Sequence, residues 1–230
     1  MKGAGTRYGT HRVIEPAGAL PQAAWKVDNS LPIDPSEMLI DVEMLNIDAA
    51  SFTQMKTECG GNPEGVAELI MKTVNDRGKQ HNPVTGSGGM LVGRIREIGA
   101  AYDGPIKAVP GDRIATLVSL SLTPLRINRI KKVFMDRDQV EVEGYAILFS
   151  SGIGERLPDD FPRDAALAAL DVAGAPAQVY RLVKPGMNIG IIGTGKSGLL
   201  CAAAARKMLG DSGRLFGVVH MQSIIDYVAK

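Results

Sequence analysis

The chain has 230 residues, with 26 Lys and Arg against 25 Asp and Glu and a formal net charge of +1. That balance excludes the basic surface on which general nucleic-acid binding rests, and 45% hydrophobic against 22% charged residues excludes a disordered chain. Aromatics make up 5%, so the core has to be built from Ala, Val, Ile, Leu and the 10 Met.

Two cysteines, Cys59 and Cys201, stand far apart without C-x-x-C spacing, which leaves no support for a disulfide framework or a Cys-rich zinc site. No apolar segment follows Lys2 and Arg7, and no run of 18 apolar residues occurs. A cytoplasmic location, with no membrane or nucleic-acid partner, is therefore expected.

Along the chain, Glu37 to Asn46 partly alternates apolar and polar residues, the pattern of a half-buried strand. Asn62-Pro63 offers an N-cap with Pro at the first helical position, and Val66, Leu69, Ile70 and Val74 follow at helical spacing as far as Arg77-Gly78. Two apolar runs, Met90–Ile98 and Arg113–Leu120, are separated by turn signals at Tyr102-Asp103-Gly104-Pro105 and Pro110-Gly111-Asp112. They predict a β-rich unit that continues through Val140–Val142 and Ala146–Phe149. After Pro162 the Ala-rich stretch Arg163 to Leu182 suits a buried helix that breaks near Gly174-Ala175-Pro176. Lys184-Pro185-Gly186 is a turn, and a strand, a glycine turn, a helix and a second strand follow. This reading divides the chain into a β-rich domain at 1–160, linking helices at 161–185 and a nucleotide-binding segment at 186–230.

The stretch from Gly190 to Gly198 fits two phosphate-binding patterns. From Gly190 it reads G-x-x-x-x-G-K-S, in which Lys196 and Ser197 would meet a triphosphate and its magnesium. From Gly193 it reads G-x-G-x-x-G, the dinucleotide turn, in which Gly195 admits a pyrophosphate and Gly198 lets helix and strand pack closely. Strand register favours the second. A P-loop would place the β-branched Ile191 and Ile192 inside a loop, whereas the dinucleotide turn keeps Asn188 to Ile192 as a buried parallel strand and starts the helix near Lys196. A nucleotide triphosphatase and a purely structural turn stay as alternatives. The cofactor-binding candidates are Gly193, Thr194, Gly195, Lys196, Ser197, Gly198 and, at the end of the second strand, His220. A carboxylate that would select NAD is absent there, so NAD or NADP is expected.

A β-rich unit ahead of a dinucleotide turn resembles the medium-chain dehydrogenases and reductases, whose first domain is GroES-like. Glu37 to Ser51, Thr85 to Gly99 and Pro110-Gly111-Asp112-Arg113-Ile114 carry that resemblance. It implies an α/β fold in which a β-rich GroES-like domain is followed by the start of a Rossmann-type domain. Where zinc-dependent members have histidine and glutamate, this chain has Ser87 and Gly88, and no cysteine stands near Asp48 to Ser51, so zinc-independent chemistry and no metal ligand are expected. The strings Tyr8–Pro16, Asn82–Met90, Ala115–Leu125 and Ala169–Val179 are similar to the L-erythro-3,5-diaminohexanoate dehydrogenase family. That similarity implies NAD(P)-dependent oxidative deamination of a small-molecule diamino acid, in a homo-oligomer. The rival readings are a zinc-independent quinone or enoyl reductase and a non-catalytic GroES-like module.

Oxidation of an amine by hydride transfer needs a general base, anions for the ammonium groups and a cation for the carboxylate, and the cleft between the two domains is the expected place. Asp171, inside an apolar helix, is the first candidate for base or ammonium anchor, with a helix cap as its structural alternative. Asp48, in the loop after the first strand, is the second. Thr85 and Ser87 are expected to hydrogen-bond substrate, and Arg126 to clamp its carboxylate. His81 is read as structural. The segment from Gly186 to Lys230 holds one strand–helix–strand, whereas a full dinucleotide fold needs two βαβαβ halves. An incomplete second domain, and weak or absent turnover by the chain as given, are expected.

Overall fold

The computed structural model describes residues 5–193 and 195–219. Contacts divide the chain into two compact units, residues 1–167 and 168–230.

The first unit opens with β1 (Val13–Glu15) paired antiparallel with β2 (Lys26–Val27). Its main sheet has six strands: β3 (Glu37–Asn46), β4 (Met90–Ile98), β5 (Arg113–Thr116), β6 (Leu125–Phe134), β7 (Gln139–Phe149) and β8 (Gly154–Arg156). They lie in the order β6-β7-β3-β4-β5-β8, every pair antiparallel. The Arg113–Leu120 run is strand only as far as Thr116; the Ser119 and Ser121 hydroxyls, 2.8 Å apart, then close a turn. Met38, Ile40 and Leu45 of β3 pack with Leu91 and Ile95 of β4 and with Val140, Ala146 and Leu148 of β7. Glu43 interrupts the register of β3 against both neighbours, a bulge that turns its carboxylate toward Arg94, Arg113 and Arg163.

Two helices lie between β3 and β4. The expected helix is α2 (Pro63–Arg77), capped by the Asn62 side chain on the Glu64 amide and closed by Gly78 at φ 71°. Its Val66, Ile70 and Val74 are fully buried, at the spacing of one helical face. The first helix, α1 (Ala49–Glu58), replaces the loop expected after β3. The Asp48 carboxylate accepts hydrogen bonds from the Ala50 and Ser51 amides, so the residue taken for a loop aspartate starts a helix.

In the second part, the Ala-rich stretch is two helices, α3 (Arg163–Leu170) and α4 (Gly174–Leu182). The helix breaks at Asp171–Ala173, three residues before the expected place, because Pro176 is tolerated in the first turn of a new helix but not in the middle of an old one. Asp171 is thus an exposed turn residue and not part of a helix, and α4 has no buried residue. Beyond it, β9 (Asn188–Ile192) and β10 (Arg214–Val218) pair in parallel, joined by α5 (Lys196–Leu209). Val183, Ala205 and Leu209 form a small core with Val179, Ile189 and Leu215. The strand is parallel as expected but not buried: Ile189 and Ile191 are half-buried and the other face is exposed. Ile192 is 88% exposed and its face-mates Phe216 and Val218 are also exposed, because α5 covers only the side that carries Ile189 and Ile191.

Among the described residues no helix is long and apolar enough to cross a membrane.

Candidate functional site

In the first unit, the end of β3, the start of α1 and the turn before β4 bring three hydroxyls together. Ser51 Oγ lies 2.7 Å from Thr85 Oγ1 and 3.0 Å from Ser87 Oγ, and the last two are 3.0 Å apart. Ser51 is buried, Ser87 is half-buried and Thr85 is exposed, so the ring is reached from the 85–87 side. Each hydroxyl carries one donor and two lone pairs. A closed ring of three donates once and accepts once at every oxygen, which leaves one lone pair each on Ser51 and Ser87, while the second lone pair of Thr85 accepts from the Ser87 amide at 3.4 Å. Ser51, which sequence reasoning did not single out, is placed by the first turn of α1; Thr85 and Ser87 are placed by Asn82.

Asn82 organises that turn. Its side-chain oxygen accepts from the Val84 amide at 2.8 Å, and its Nδ2 donates to Gln54 of α1 at 2.7 Å. Its own amide donates to the Ser87 carbonyl, while its carbonyl accepts from Gly86 at φ 72°. At Gly88 a Cβ would stand 2.4 Å from the Ser121 amide nitrogen and 2.6 Å from the Gln80 carbonyl. No glutamate fits at that position. Hydroxyls stand where a metal would need thiolate or imidazole, and among the described residues no group of three His, Cys, Asp or Glu side chains is placed to hold an ion.

The segment leading into the turn is basic. Arg77 is buried with its guanidinium 3.6 Å from the Trp25 ring centroid, and its Nη1 donates to the His81 carbonyl at 2.5 Å. Lys79 is fully buried with Nζ donating to the Pro21 carbonyl at 2.6 Å, and burial, with Arg77 nearby, pushes its ammonium down to about 8. Burial, then the charges of Lys79 and Arg77, push the His81 imidazole down to about 4. Among the described residues its Nδ1 has no hydrogen-bond partner.

Of the remaining candidates, Asp48 adjoins the ring through the Ser51 amide. Asp48 is half-buried at the N-cap of α1 with its carboxylate engaged by two amides. Arg126 is exposed on β6, opposite Tyr145 of β7. In the second unit, Gly193 has φ 95°, and a Cβ at Gly198 would stand 2.1 Å from its carbonyl oxygen. A Cβ at Gly195 meets nothing within 4 Å. Helix α5 starts at Lys196 with Gly195 as its N-cap and no side-chain cap bond. Its first amides, beside the Lys196 side chain, are open to an anion. Thr194 and His220 lie outside the described residues.

A six-stranded antiparallel sheet ahead of a strand–glycine turn–helix–strand is a fold that the chain shares with solved alcohol dehydrogenases. Solved structures with this fold include an alcohol dehydrogenase from Thermus sp. ATN1, with a TM-score of 0.52 at 15% identity over 90% of this chain and 57% of that one. Another is an alcohol dehydrogenase from Thermotoga maritima, with a TM-score of 0.50 at 12% identity over 86% of this chain and 55% of that one. Residues 11–158 match the model of the L-erythro-3,5-diaminohexanoate dehydrogenase N-terminal domain, and the chain belongs to that family. It is 55% identical over 216 residues to the L-erythro-3,5-diaminohexanoate dehydrogenase of Acetoanaerobium sticklandii, and 56% identical over 216 residues to that of Fusobacterium nucleatum subsp. nucleatum. Each match covers 94% of this chain and 63% of the relative, so the chain spans less than two thirds of their length.

Proposed function

We propose that this chain carries the substrate-side domain and the pyrophosphate turn of an NAD(P)-dependent amine dehydrogenase that oxidatively deaminates L-erythro-3,5-diaminohexanoate to 5-amino-3-oxohexanoate. The reading rests on the 55% identity to enzymes of that name across 94% of the chain. The same identity favours an amine dehydrogenase over a quinone or enoyl reductase and over a non-catalytic module.

The hydroxyl ring of Ser51, Thr85 and Ser87 supports an amine substrate. The lone pairs left on Ser51 and Ser87 accept N–H donors such as those of an alkylammonium, which no aldehyde or quinone offers. An ammonium must lose a proton before the C–H bond can break, since the nitrogen lone pair has to push as hydride departs. Hydroxyls in a ring pass a proton by turning, so these three residues orient the amine and lead its proton outward through exposed Thr85. Asp48 and Asp171 are the carboxylates assigned to the base or to the second ammonium, and Arg126 the cation for the carboxylate.

Gly193, Gly195, Lys196, Ser197 and Gly198 fit a dinucleotide pyrophosphate: among the described residues the space at Gly195 is open and α5 has no side-chain cap, and Lys196 adds a cation. When bound, nicotinamide supplies the hydride acceptor. Thr194 and His220 complete the assignment, with NAD and NADP both admitted, and the enzyme is assigned to the cytoplasm as a homo-oligomer.

The experiment is a titration of the purified chain with NAD and NADP, followed by an assay for nicotinamide reduction that depends on L-erythro-3,5-diaminohexanoate. Saturable binding of one cofactor is expected, with amine-dependent reduction at a low rate at most. Binding of neither at millimolar concentration overturns the cofactor assignment, and reduction with quinone or enoyl substrates but not with the diamine overturns the substrate assignment.

A further inference from the structure

Between α1 and α2 the first unit holds a cavity of about 260 Å³ that the dehydrogenase reading does not use. That volume lies near the small end of ligand sites, which run from about 300 Å³ upward. Trp25 and Arg77 form one side, Met55 and Leu69 supply apolar surface, and Glu58 opens on it. Thr85 and Ser87 do not line it, although Gln54 and Asn82, whose hydrogen bond anchors their turn, form part of its wall.

Arg77 is 4% exposed, yet no carboxylate pairs with it among the described residues; its contacts are the Trp25 ring and the His81 carbonyl. A buried guanidinium without a counter-ion is costly unless something anionic reaches it. Stacking on indole uses the face of the guanidinium and leaves in-plane N–H groups, whose fork geometry matches a carboxylate. On the same cavity, Glu58 is exposed and has no ion pair among the described residues. The other two charges, Lys72 and Asp76, neutralise each other at 3.1 Å. One unmatched cation, one unmatched anion and an apolar strip between them form the complement of a small zwitterion.

From this geometry we infer that the Trp25 cavity binds a small amino-carboxylate, its carboxylate on Arg77, its ammonium toward Glu58 and its carbon chain on Met55 and Leu69. The inference does not rest on the dehydrogenase reading and needs no nucleotide.

Trp25 is the chain's single tryptophan, so its emission reports the cavity directly. The test titrates the purified chain with 4-aminobutanoate, butanoate and butylamine while following that emission. A saturable change is expected with 4-aminobutanoate, at an affinity about tenfold or more above either singly charged probe, a difference of about 1.4 kcal/mol. Glu58→Gln, an exposed substitution, should bring the affinity for 4-aminobutanoate down to that for butanoate and leave butanoate unchanged. Arg77→Gln should abolish both. Should that variant fail to fold, the three-probe comparison and Glu58→Gln still decide. No saturable change with 4-aminobutanoate, an equal response to butylamine, or an unaltered Glu58→Gln variant overturns the inference. Cofactor binding and amine oxidation are measured separately, so either reading can fail alone.

Discussion

Replacing Glu37 by glutamine keeps the shape of the side chain and removes the anion that ties the N-terminal segment to the sheet. The carboxylate is fully buried and accepts from Arg12 Nε and Nη2 at 2.7 and 2.6 Å, from His11 Nε2 at 2.8 Å and from the Asp34 amide at 2.7 Å. Burial alone would raise its pKa. The hydrogen bonds from His11, Arg12 and the Asp34 amide, together with the Arg12 charge, outweigh that and hold it at about 2 instead of 4.5. At about 1.4 kcal/mol per pH unit, the gap corresponds to about 3 kcal/mol. Leaving Arg12 buried without its counter-ion costs about 3–5 kcal/mol by analogy with other broken pairs, which agrees. Because the folded pKa lies below the unfolded one, this contribution is complete above about pH 4.5 and is lost as the pH falls toward 2. Urea unfolding followed by Trp25 emission measures it in the unit that contains both residues. The variant should lose about 3–5 kcal/mol at pH 7, and the steep loss of stability that the parent shows between about pH 4.5 and 2 should flatten. A loss under about 1 kcal/mol, or an acid limb as steep as the parent's, would refute the reasoning.

Three further outcomes are expected. Asn82→Ala removes the bond to Gln54 and the cap on the Val84 amide, and should cost about 1–3 kcal/mol in urea unfolding while disordering the Thr85 and Ser87 hydroxyls; a neutral effect on both stability and amine affinity would show that the turn holds itself. Gly198→Ala drives a methyl into the Gly193 carbonyl and should disturb the helix start, seen by circular dichroism, whereas Gly195→Ala meets open space and should lower NAD(P) affinity about tenfold with the fold intact; equal behaviour of the two variants in both measurements argues against a pyrophosphate at this turn. The His81 ring should titrate near 4 by NMR, and since its folded pKa lies below the unfolded value of about 6.5, its contribution to stability is full above that pH and is lost as the pH falls through 4; a titration midpoint at or above 6.5 would contradict its burial beside Lys79 and Arg77.

What the sequence discloses depends on how far apart the interacting residues lie. Asn62-Pro63 and Gly78 bracket α2 by local chemistry alone, and the glycines of the dinucleotide turn act within six residues, so both are readable from a short window. Asp48 is equally local: an Asp ahead of two alanines is itself a helix-start signal, and its carboxylate accepts from the Ala50 and Ser51 amides. The exposed face of β9 misleads. Asn188 to Ile192 has the unbroken apolar character of a strand buried on both sides, and covering is a property of neighbours, not of the strand. Asp171 was drawn into a helix by flanking Ala and Leu, while Pro176 sets where the next helix begins.

The hydroxyl ring and the Trp25 cavity show why chemistry-bearing sites are the hardest part to read. Ser51 meets Thr85 and Ser87 across 34 and 36 residues, and Trp25 meets Arg77 across the sheet-forming segment between them. Neither serine, threonine nor tryptophan is unusual in its own neighbourhood, so no window short enough to show a period contains both partners. What links these residues is the path from Arg77 to Ser87, which runs past Trp25, His81 and Asn82 before entering β4. Gly78, with its positive φ, and Gly88, which has no room for a side chain, let that path pass close to other backbone. A single irregular segment thereby carries Arg77 as well as Thr85 and Ser87, and the buried Lys79 charge is tolerable there because the Pro21 and Gln22 carbonyls receive it. Polar residues on a buried stretch such as Arg77 to Asn82, where water cannot satisfy them, therefore point to chemistry more strongly than exposed carboxylates do.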